Sequence, residues 1–475
     1  MPQRKTSRSL TAVILAAGKG KRLKSGLPKV LHPVCGRPLL WHATRNALAA
    51  RPTSLVFVVS NGADRVREAV GSWGLKPPVA FVDQGELLGT GHAVLMAEEA
   101  VGAAEEVLVV GGDYDPVAPE DVRRLLRVHR RTGSAASILT ADVDDPKGYA
   151  RIVREGTRLL DIVEGTDAPP DLKAVREVSA LVFAFRREDL YAALPLVGRE
   201  NRQHEHYLNE VFPILMRKGE RVSAVKVDTG GLMGPNSRAD LAALGELLRR
   251  RINEGHMDRG VTIVDPGTTY VDVEVKIGSD TVIHPLTFLE GETRVGRGCE
   301  IGPSTRIVDS RVGDGAGVTF AVVRGARIGA GAMVGPYASI RPGTVLGAGV
   351  KAGTFVEIKN SGVGRGSKVP HLSYVGDADI GERVNIGAAN VFANYDGYRK
   401  HRTMVGDDVR TGSDTILVAP VRLGKGAVTG AGSVITKDVP PGALAVERSE
   451  QRIVEGYRKR KDAEAARSAE GRGKR

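Results

Sequence analysis

The chain is short of cysteine and of aromatics and has no long apolar run, and each shortage excludes something. Two cysteines, Cys35 and Cys299, stand far apart in 475 residues, with no C-x-x-C and no H-E-x-x-H. Neither a disulfide framework nor a structural zinc site is indicated, and a reducing, cytoplasmic location is expected. Aromatics are 4% of the chain, too few for the stacking platforms of a nucleic-acid binder. No run approaches the ~20 apolar residues that a membrane span needs. The opening "RKTSRSLTAVILAAG" has the charge order of a signal peptide, but its apolar run covers only residues 10–17 before "GKGKR". A buried first strand is expected there instead.

The net charge of +12 sits largely at the ends: residues 1–10 carry +3, and residues 449–475, with nine Lys/Arg and five Asp/Glu, carry +4. That pattern describes basic termini rather than a folded nucleic-acid face, so neither a specific nucleic acid nor a membrane is expected as partner.

Between the ends, the chain changes character twice. In residues 10–232, short β-rich runs ("LTAVILAA", "SLVFVVS", "VAFVD", "EVLVVGG", "ASILTADV", "SALVFAF") alternate with helical stretches such as "PLLWHATRNALAA" and "PEDVRRLLRVHRR". The alternation predicts an open, mostly parallel sheet with helices on both faces and a ligand beyond the carboxyl ends of the strands. Leu241, Leu244, Leu248 and Ile252 then recur at helical spacing, with Asn236 or Ser237 as N-cap. From about residue 262 the period is six: Ile277, Ile283, Leu289, Val295, Ile301, Ile307; then Ile328, Val334, Ile340, Leu346; then Val405, Thr411, Leu417, Leu423, Thr429, Ile435. Such hexads, with the aliphatic inward and Gly or Asn at the corners, predict a left-handed parallel β-helix of about ten coils. "AANVFANYDGYRKHRT", residues 388–403, interrupts the period and is expected to project and build a site. The expected organisation is a basic extension over 1–9, a first domain over 10–235, a connecting helix over 236–260, a second domain over 261–448 and a flexible basic tail over 449–475.

Two sets of motifs in this order carry a family resemblance. "LAAGKGKRL…LPKVLH" and "LLGTGHA" in the first half, and "FVEIKNS", "SKVPHLSYVGDADIG", "NYDG" and "GSDTILVAPV" in the second, resemble the bifunctional bacterial family of N-acetylglucosamine-1-phosphate uridylyltransferase / glucosamine-1-phosphate N-acetyltransferase. The match runs from about residue 10 to 450. It implies an α/β, Rossmann-like nucleotidyltransferase with a mostly parallel sheet, followed by a left-handed β-helix acetyltransferase, assembled as a homotrimer.

The opening loop is not a Walker A sequence, and Leu23 stands where a dinucleotide fingerprint needs its third glycine. What remains is a turn at Gly18 and Gly20 whose backbone N–H groups suit oxygen anions, with Arg22 and Lys29 adding positive charge. The resemblance assigns Arg22 and Lys29 to the triphosphate. It assigns Leu15, Ala16, Ala17, Gly18, Gln84, Gly89 and Thr90, together with Ala150, Glu164, Ser179 and Asn236, to UTP and the product nucleotide sugar. It implies Mg²⁺ on one Asp and Asn236. The Asp motif is one residue longer than the family's, "GGDYDPV", so Asp113 (favoured) or Asp115 fills the place. Ala150 replaces a family Gly, and Ser179, Ala180 and Leu181 replace Asn-Thr-Gly, which puts sugar choice at this site in question.

The second set is intact. By resemblance His371 is the base that frees the acceptor amine, oriented by Glu357. Arg341, Lys359 and Tyr374 grip the sugar phosphate, with Asn385 and Lys400 near the sugar. Asn394 and Tyr395 position the acetyl group. Ala388, Ser413, Ala431 and Arg448 contact acetyl-CoA, a backbone N–H near Ala388 serving the oxyanion. Two other readings stay open on sequence alone: acetyl transfer with a first domain turned to another sugar or nucleotide, and a non-catalytic nucleotide-binding scaffold.

Overall fold

The computed structural model describes residues 8–18, 20–60, 62–113, 117–231 and 234–472. The chain forms two compact units, one of Met1–Asp258 with Tyr270–Val275, the other of Arg259–Thr269 with Lys276–Arg475.

The described strands of the first unit are β1 (Leu10–Leu15), β2 (Pro33–Val34), β3 (Arg37–Pro38), β4 (Ser54–Val59), β5 (Val79–Asp83), β6 (Glu106–Gly111), β7 (Ala136–Val143), β8 (Arg151–Glu155), β9 (Arg158–Val163), β10 (Glu177–Arg186) and β11 (Val222–Gly231). The six β-rich runs read from sequence are all strands of one sheet, ordered β11-β7-β10-β6-β1-β4-β5, with the β8–β9 hairpin joined to β10. Their apolar residues are continuous because both faces are covered. Ala12, Ile14, Phe57 and Leu108 enter one core, and Val13, Val56, Val58 and Val107 the other. The sheet is mixed: β10 runs antiparallel to β6 and β7. After β7 the chain makes the β8–β9 hairpin instead of a crossover helix, so it re-enters the sheet in the opposite direction. The periodic helix is Arg238–Met257, with Leu244 and Leu248 in the same core as Ile14.

The second unit is the left-handed β-helix that the hexads imply. Its three ladders of two- to four-residue parallel strands include Thr262–Ile263 to Lys368–His371, Phe288–Glu290 to Val434–Ile435, and Lys276–Ile277 to Val421–Leu423. Every hexad residue named above is buried, Thr411 and Thr429 included. Coils stack like on like, as in Ile283 on Ile301 on Val318 on Val334.

The corners depart from the expectation of Gly or Asn. Two of them hold mostly Gly, Asp or Asn at positive φ, for example Gly291, Asp309, Gly325, Gly343, Asn360 and Asp377 at one. The third holds Leu286, Ser304, Phe320, Tyr337, Phe355 and Leu372 there. Each bulky residue in that conformation costs roughly 1 kcal/mol or more. The aromatic rings recover part of it by packing on one another, Phe320 tilted against Tyr337 at 5.5 Å and Tyr337 stacked on Phe355 at 5.2 Å between centroids. Within residues 449–475, Tyr457–Arg472 form a helix whose described side chains are all exposed.

Candidate active sites

In the first unit, β1 ends at the opening loop, and two short 3₁₀ turns, Lys21–Leu23 and Lys29–Leu31, follow. Leu23, Val30 and Leu31 are buried and anchor them, which leaves Arg22 and Lys29 facing a cavity of about 560 Å³. Gly20 is required for this arrangement. Its φ is +56°, and a Cβ there would lie 2.6 Å from the Lys29 Cβ. The cavity is lined by Leu15, Ala17, Gly18, Gly20, Arg22, Lys29, Gln84, Gly89, Thr90, Asp113 and Asn236 among others.

The Lys29 ammonium donates to Asp113 Oδ2 at 2.6 Å and to Asn236 Oδ1 at 2.9 Å, and Arg22 donates to the same Asn236 oxygen at 2.9 Å. Burial works against the Asp113 charge, but the Lys29 ammonium outweighs it and holds the carboxyl below its ordinary value. Asn236 is free for this role because Ser237 is the N-cap of the helix. Ser237 Oγ accepts from Asp240 N at 3.1 Å, and Asp240 accepts from Ser237 N at 2.8 Å. Asp115 lies outside the described residues.

At the other end of the cavity, Gln84 donates to the Gly89 carbonyl at 2.9 Å and Thr90 Oγ1 accepts from Leu208 N at 3.0 Å. Gly89, at φ +107°, lets the loop pass the His206 carbonyl, 2.5 Å from where a Cβ would be. Ala16, Ala150, Glu164 and Ser179 are not among the residues lining the cavity. Ala16 N bonds Val58 O, and Ser179 N bonds Ala150 O. Glu164 accepts from Asn209 at 2.6 Å; burial pushes its carboxyl up, the Asn209 bond offsets part of this, and Asp167, Glu210 and Glu205 push it further.

In the second unit, most of the candidates fall on one β-helix face and its two edges. Along the edge carrying the aromatic corner, His371, Ala388 and Ser413 occupy successive coils: Ala389 N bonds His371 O, Asp414 N bonds Ala388 O and Gly432 N bonds Ser413 O. Arg448 Nη1 donates to the Ala431 carbonyl at 3.1 Å. At the opposite edge, the 394–402 insertion brings Lys400 beside Lys359. The Lys359 amine, within hydrogen-bond reach, lowers the Lys400 pKa, and Asp377 opposes that shift. Burial disfavours the Asp377 charge, but hydrogen bonds from Asn360 and Asn394 and the two lysines keep its carboxyl low. Two ammoniums held side by side form a vacancy for an anion. Asp396 organises the insertion: it accepts from Arg399 N at 2.6 Å, from His401 Nε2 at 2.7 Å and from Tyr398 N at 2.7 Å. Tyr395 and Lys400 pair across it.

Arg341, Glu357 and Tyr374 belong to the face between these edges, Glu357 and Tyr374 in register on adjacent strands. The Glu357 carboxylate, assigned by resemblance to His371, accepts from Arg341 at 2.7 Å. Asn385 sits on the neighbouring ladder, bridging Lys368 and Arg410.

Comparison with known proteins is decisive. Residues 12–199 match the MobA-like NTP transferase domain. The chain is 48% identical over 470 residues to the bifunctional protein GlmU of Streptomyces avermitilis, covering 98% of this chain and 97% of that one. The chain belongs to the GlmU family. It is also 48% identical to the GlmU of Streptomyces coelicolor, with the same coverage, and to that of Mycobacterium tuberculosis over 95% of this chain and 92% of the relative. GlmU proteins join an N-acetylglucosamine-1-phosphate uridylyltransferase to a glucosamine-1-phosphate N-acetyltransferase, and this chain is an enzyme of both transferase classes.

Within this GlmU chain, sequence reading passed over the segment 203–210, "QHEHYLNE", which supplies Glu205 to the cavity, His206 to the Gly89 turn and Asn209 to Glu164. Its only signal was two histidines and a tyrosine, His204, His206 and Tyr207, among acidic and amide residues. Among the described residues no helix is long and apolar enough to cross a membrane.

Proposed function

We propose that the two units run consecutive steps, acetylation of glucosamine 1-phosphate and then uridylylation of the product, with the residues above in the following roles. In the second unit, Lys359, Lys400 and Arg341 bind the sugar phosphate, and Glu357 fixes Arg341. Tyr374, Asn385, Asn394 and Tyr395 orient sugar and acetyl group, and Ala388, Ser413, Ala431 and Arg448 line the acetyl-CoA edge. His371 accepts the proton as the amine attacks the thioester carbonyl; the C–S bond breaks and coenzyme A leaves as the thiol. In the first unit, the phosphate oxygen of N-acetylglucosamine 1-phosphate attacks the α-phosphorus of UTP, and pyrophosphate leaves. Lys29, Arg22 and the N–H groups at Gly18 and Gly20 neutralise the developing charge, which is most of what such a reaction needs. Gln84, Gly89 and Thr90 hold the uridine end.

Asp113 and Asn236 fit Mg²⁺: two hard oxygens converge on one point, now the Lys29 ammonium, and this ion commonly takes only one or two protein ligands. When bound, Mg²⁺ supplies charge neutralisation on the triphosphate.

The observation that carries the reading is that each unit concentrates cations where a phosphate is needed: Lys29 and Arg22 in the first, Lys359 and Lys400 in the second. The corner column, where Phe320, Tyr337, Phe355 and Leu372 are exposed by 38%, 57%, 57% and 61%, supports assembly as the homotrimer that the resemblance implies. So much exposed ring area in strained backbone suits burial against a second copy. That column is continuous with His371, so the acetyl site would lie between subunits. The free thiols of Cys35 and Cys299 support a cytoplasmic location. One incubation with glucosamine 1-phosphate, acetyl-CoA, UTP and Mg²⁺, resolved by mass, tests the sequence of steps. The acetylated sugar phosphate should appear first and the nucleotide sugar second; a nucleotide sugar carrying a free amine would reverse the order.

A further inference from the structure

The first unit has a second cavity, of about 360 Å³, at the sheet edge away from the phosphate-handling one. It opens where the helix Leu39–Leu48 hands over to β4, against the helix Pro119–Thr132. Its apolar lining is Ala49, Ala50 and the buried Leu126; the rest is four arginines, Arg51, Arg123, Arg127 and Arg130, with no aspartate or glutamate. Arg123, Arg127 and Arg130 follow one another at i, i+4 and i+7, so like charges repel along one helix face. Carboxylates answer only part of that charge. Glu120 pairs with Arg123. The buried Glu106 accepts from Arg130 Nε at 2.9 Å and Nη2 at 2.6 Å, but Arg8, at 3.3 Å, shares its single charge. Among the described residues no carboxylate pairs with Arg51 or Arg127. Arg51 carries an independent mark. It stands just past the helix end at φ +53°, its N–H bonded to the Leu48 carbonyl at 3.0 Å. That place is ordinarily Gly or Asn, because a Cβ is strained there. A cation kept in strained backbone among three more cations calls for a functional reason.

We propose that this cavity is a second anion site of the first unit and takes a small polyphosphate, an anion of two or three linked phosphate groups. The argument is one of valence, size and shape. A guanidinium fork meets two phosphate oxygens at once. Four such forks exceed the free oxygens of a single phosphate ester, and a di- or triphosphate supplies the rest. The volume falls in the range of small-molecule sites. A nucleic-acid strand fits less well, because the cations surround a hollow instead of following a line, and no aromatic side chain lines it for a base to stack on. The buried Glu106 holds the Arg130 guanidinium in place before any ligand arrives, which lowers the cost of ordering it. The inference does not depend on which reactions the enzyme runs.

The test titrates the full-length protein with tripolyphosphate by calorimetry, without Mg²⁺ and at fixed ionic strength. Lys29→Gln removes the central cation of the other cavity, so a binding event that survives in Lys29→Gln belongs elsewhere. That event should weaken about tenfold in Arg51→Gly and in Arg127→Gln, the size of one charge-assisted hydrogen bond. Glycine suits the positive φ, so Arg51→Gly should unfold no earlier than the wild type. Arg124→Gln is the control on the same helix: Arg124 donates to the Lys226 carbonyl and does not line the cavity, so binding should not change. An ATP arm separates two sources of the same chemistry. Tighter binding of ATP assigns the site to the phosphate chain of a nucleotide, and tighter binding of tripolyphosphate to the inorganic anion; either supports the proposal. It is overturned by no binding event in Lys29→Gln, by an event unchanged in Arg51→Gly and Arg127→Gln, by orthophosphate binding as tightly as tripolyphosphate, or by a single-stranded DNA 16-mer displacing tripolyphosphate from the site.

Discussion

Gly20→Ala is the sharpest probe of how the first unit positions its cations. Two effects add at this residue. Alanine at φ +56° costs roughly 1–2 kcal/mol in backbone strain. Its Cβ would also meet the Lys29 Cβ at 2.6 Å, where carbon atoms ordinarily rest about 3.5–4.0 Å apart. Lys29 or the loop must give by about 1 Å, and a misplacement of that size costs on the order of 100-fold in rate. The ammonium that moves is the one shared by Asp113 and Asn236, so both partners lose it together. Pyrophosphate release should fall about 100-fold, while acetyl transfer, in the other unit, stays unchanged. Gly18→Ala is the control: it has open space where a Cβ would go and is not among the positive-φ glycines. It should leave thermal stability within error of the wild type. A Gly20→Ala enzyme releasing pyrophosphate within threefold of the wild-type rate would refute the claim that this turn sets Lys29.

Three further outcomes follow from the second unit. His371→Ala should abolish acetyl transfer and leave uridylyl transfer intact; parallel loss in both assays would mean that it acts through folding. Phe355→Asp, which puts a charge into the exposed column, should yield monomers by light scattering with acetyl transfer lost and uridylyl transfer retained, whereas an intact oligomer would remove that column from the interface. Because the Lys359 amine depresses Lys400, kcat/KM for glucosamine 1-phosphate should decline on the alkaline side below the ordinary lysine range, as the Lys400 charge is lost with rising pH. In Lys359→Gln that limb should move to higher pH even as KM worsens; a limb that stays put would assign the titration elsewhere.

Periodicity made much of this molecule legible. Ile277 to Ile435 declare the β-helix because a residue every six must face inward if each coil has three flat sides, and that constraint acts at every hexad. The runs of β1, β4 and β6 were equally plain, since a strand covered on both faces has no polar positions to spare. Gly20, Arg22, Lys29 and Asn236 were legible as residue types that phosphate chemistry needs.

Their convergence was not legible. Asn236 comes 207 residues after Lys29, and only the capping box at Ser237 and Asp240 frees its side chain to meet that ammonium. The reversal of β10 was also hidden, because strand direction depends on how the chain returns and not on the strand's own residues. So was the strained corner at Phe320, Tyr337 and Phe355, which local preference would assign to glycine. Sequence alone determined the elements and the chemistry at hand, since those depend on local period and residue type. Tertiary structure decided which distant groups share a cavity and where backbone strain is tolerated, because both depend on packing between segments that no local pattern records.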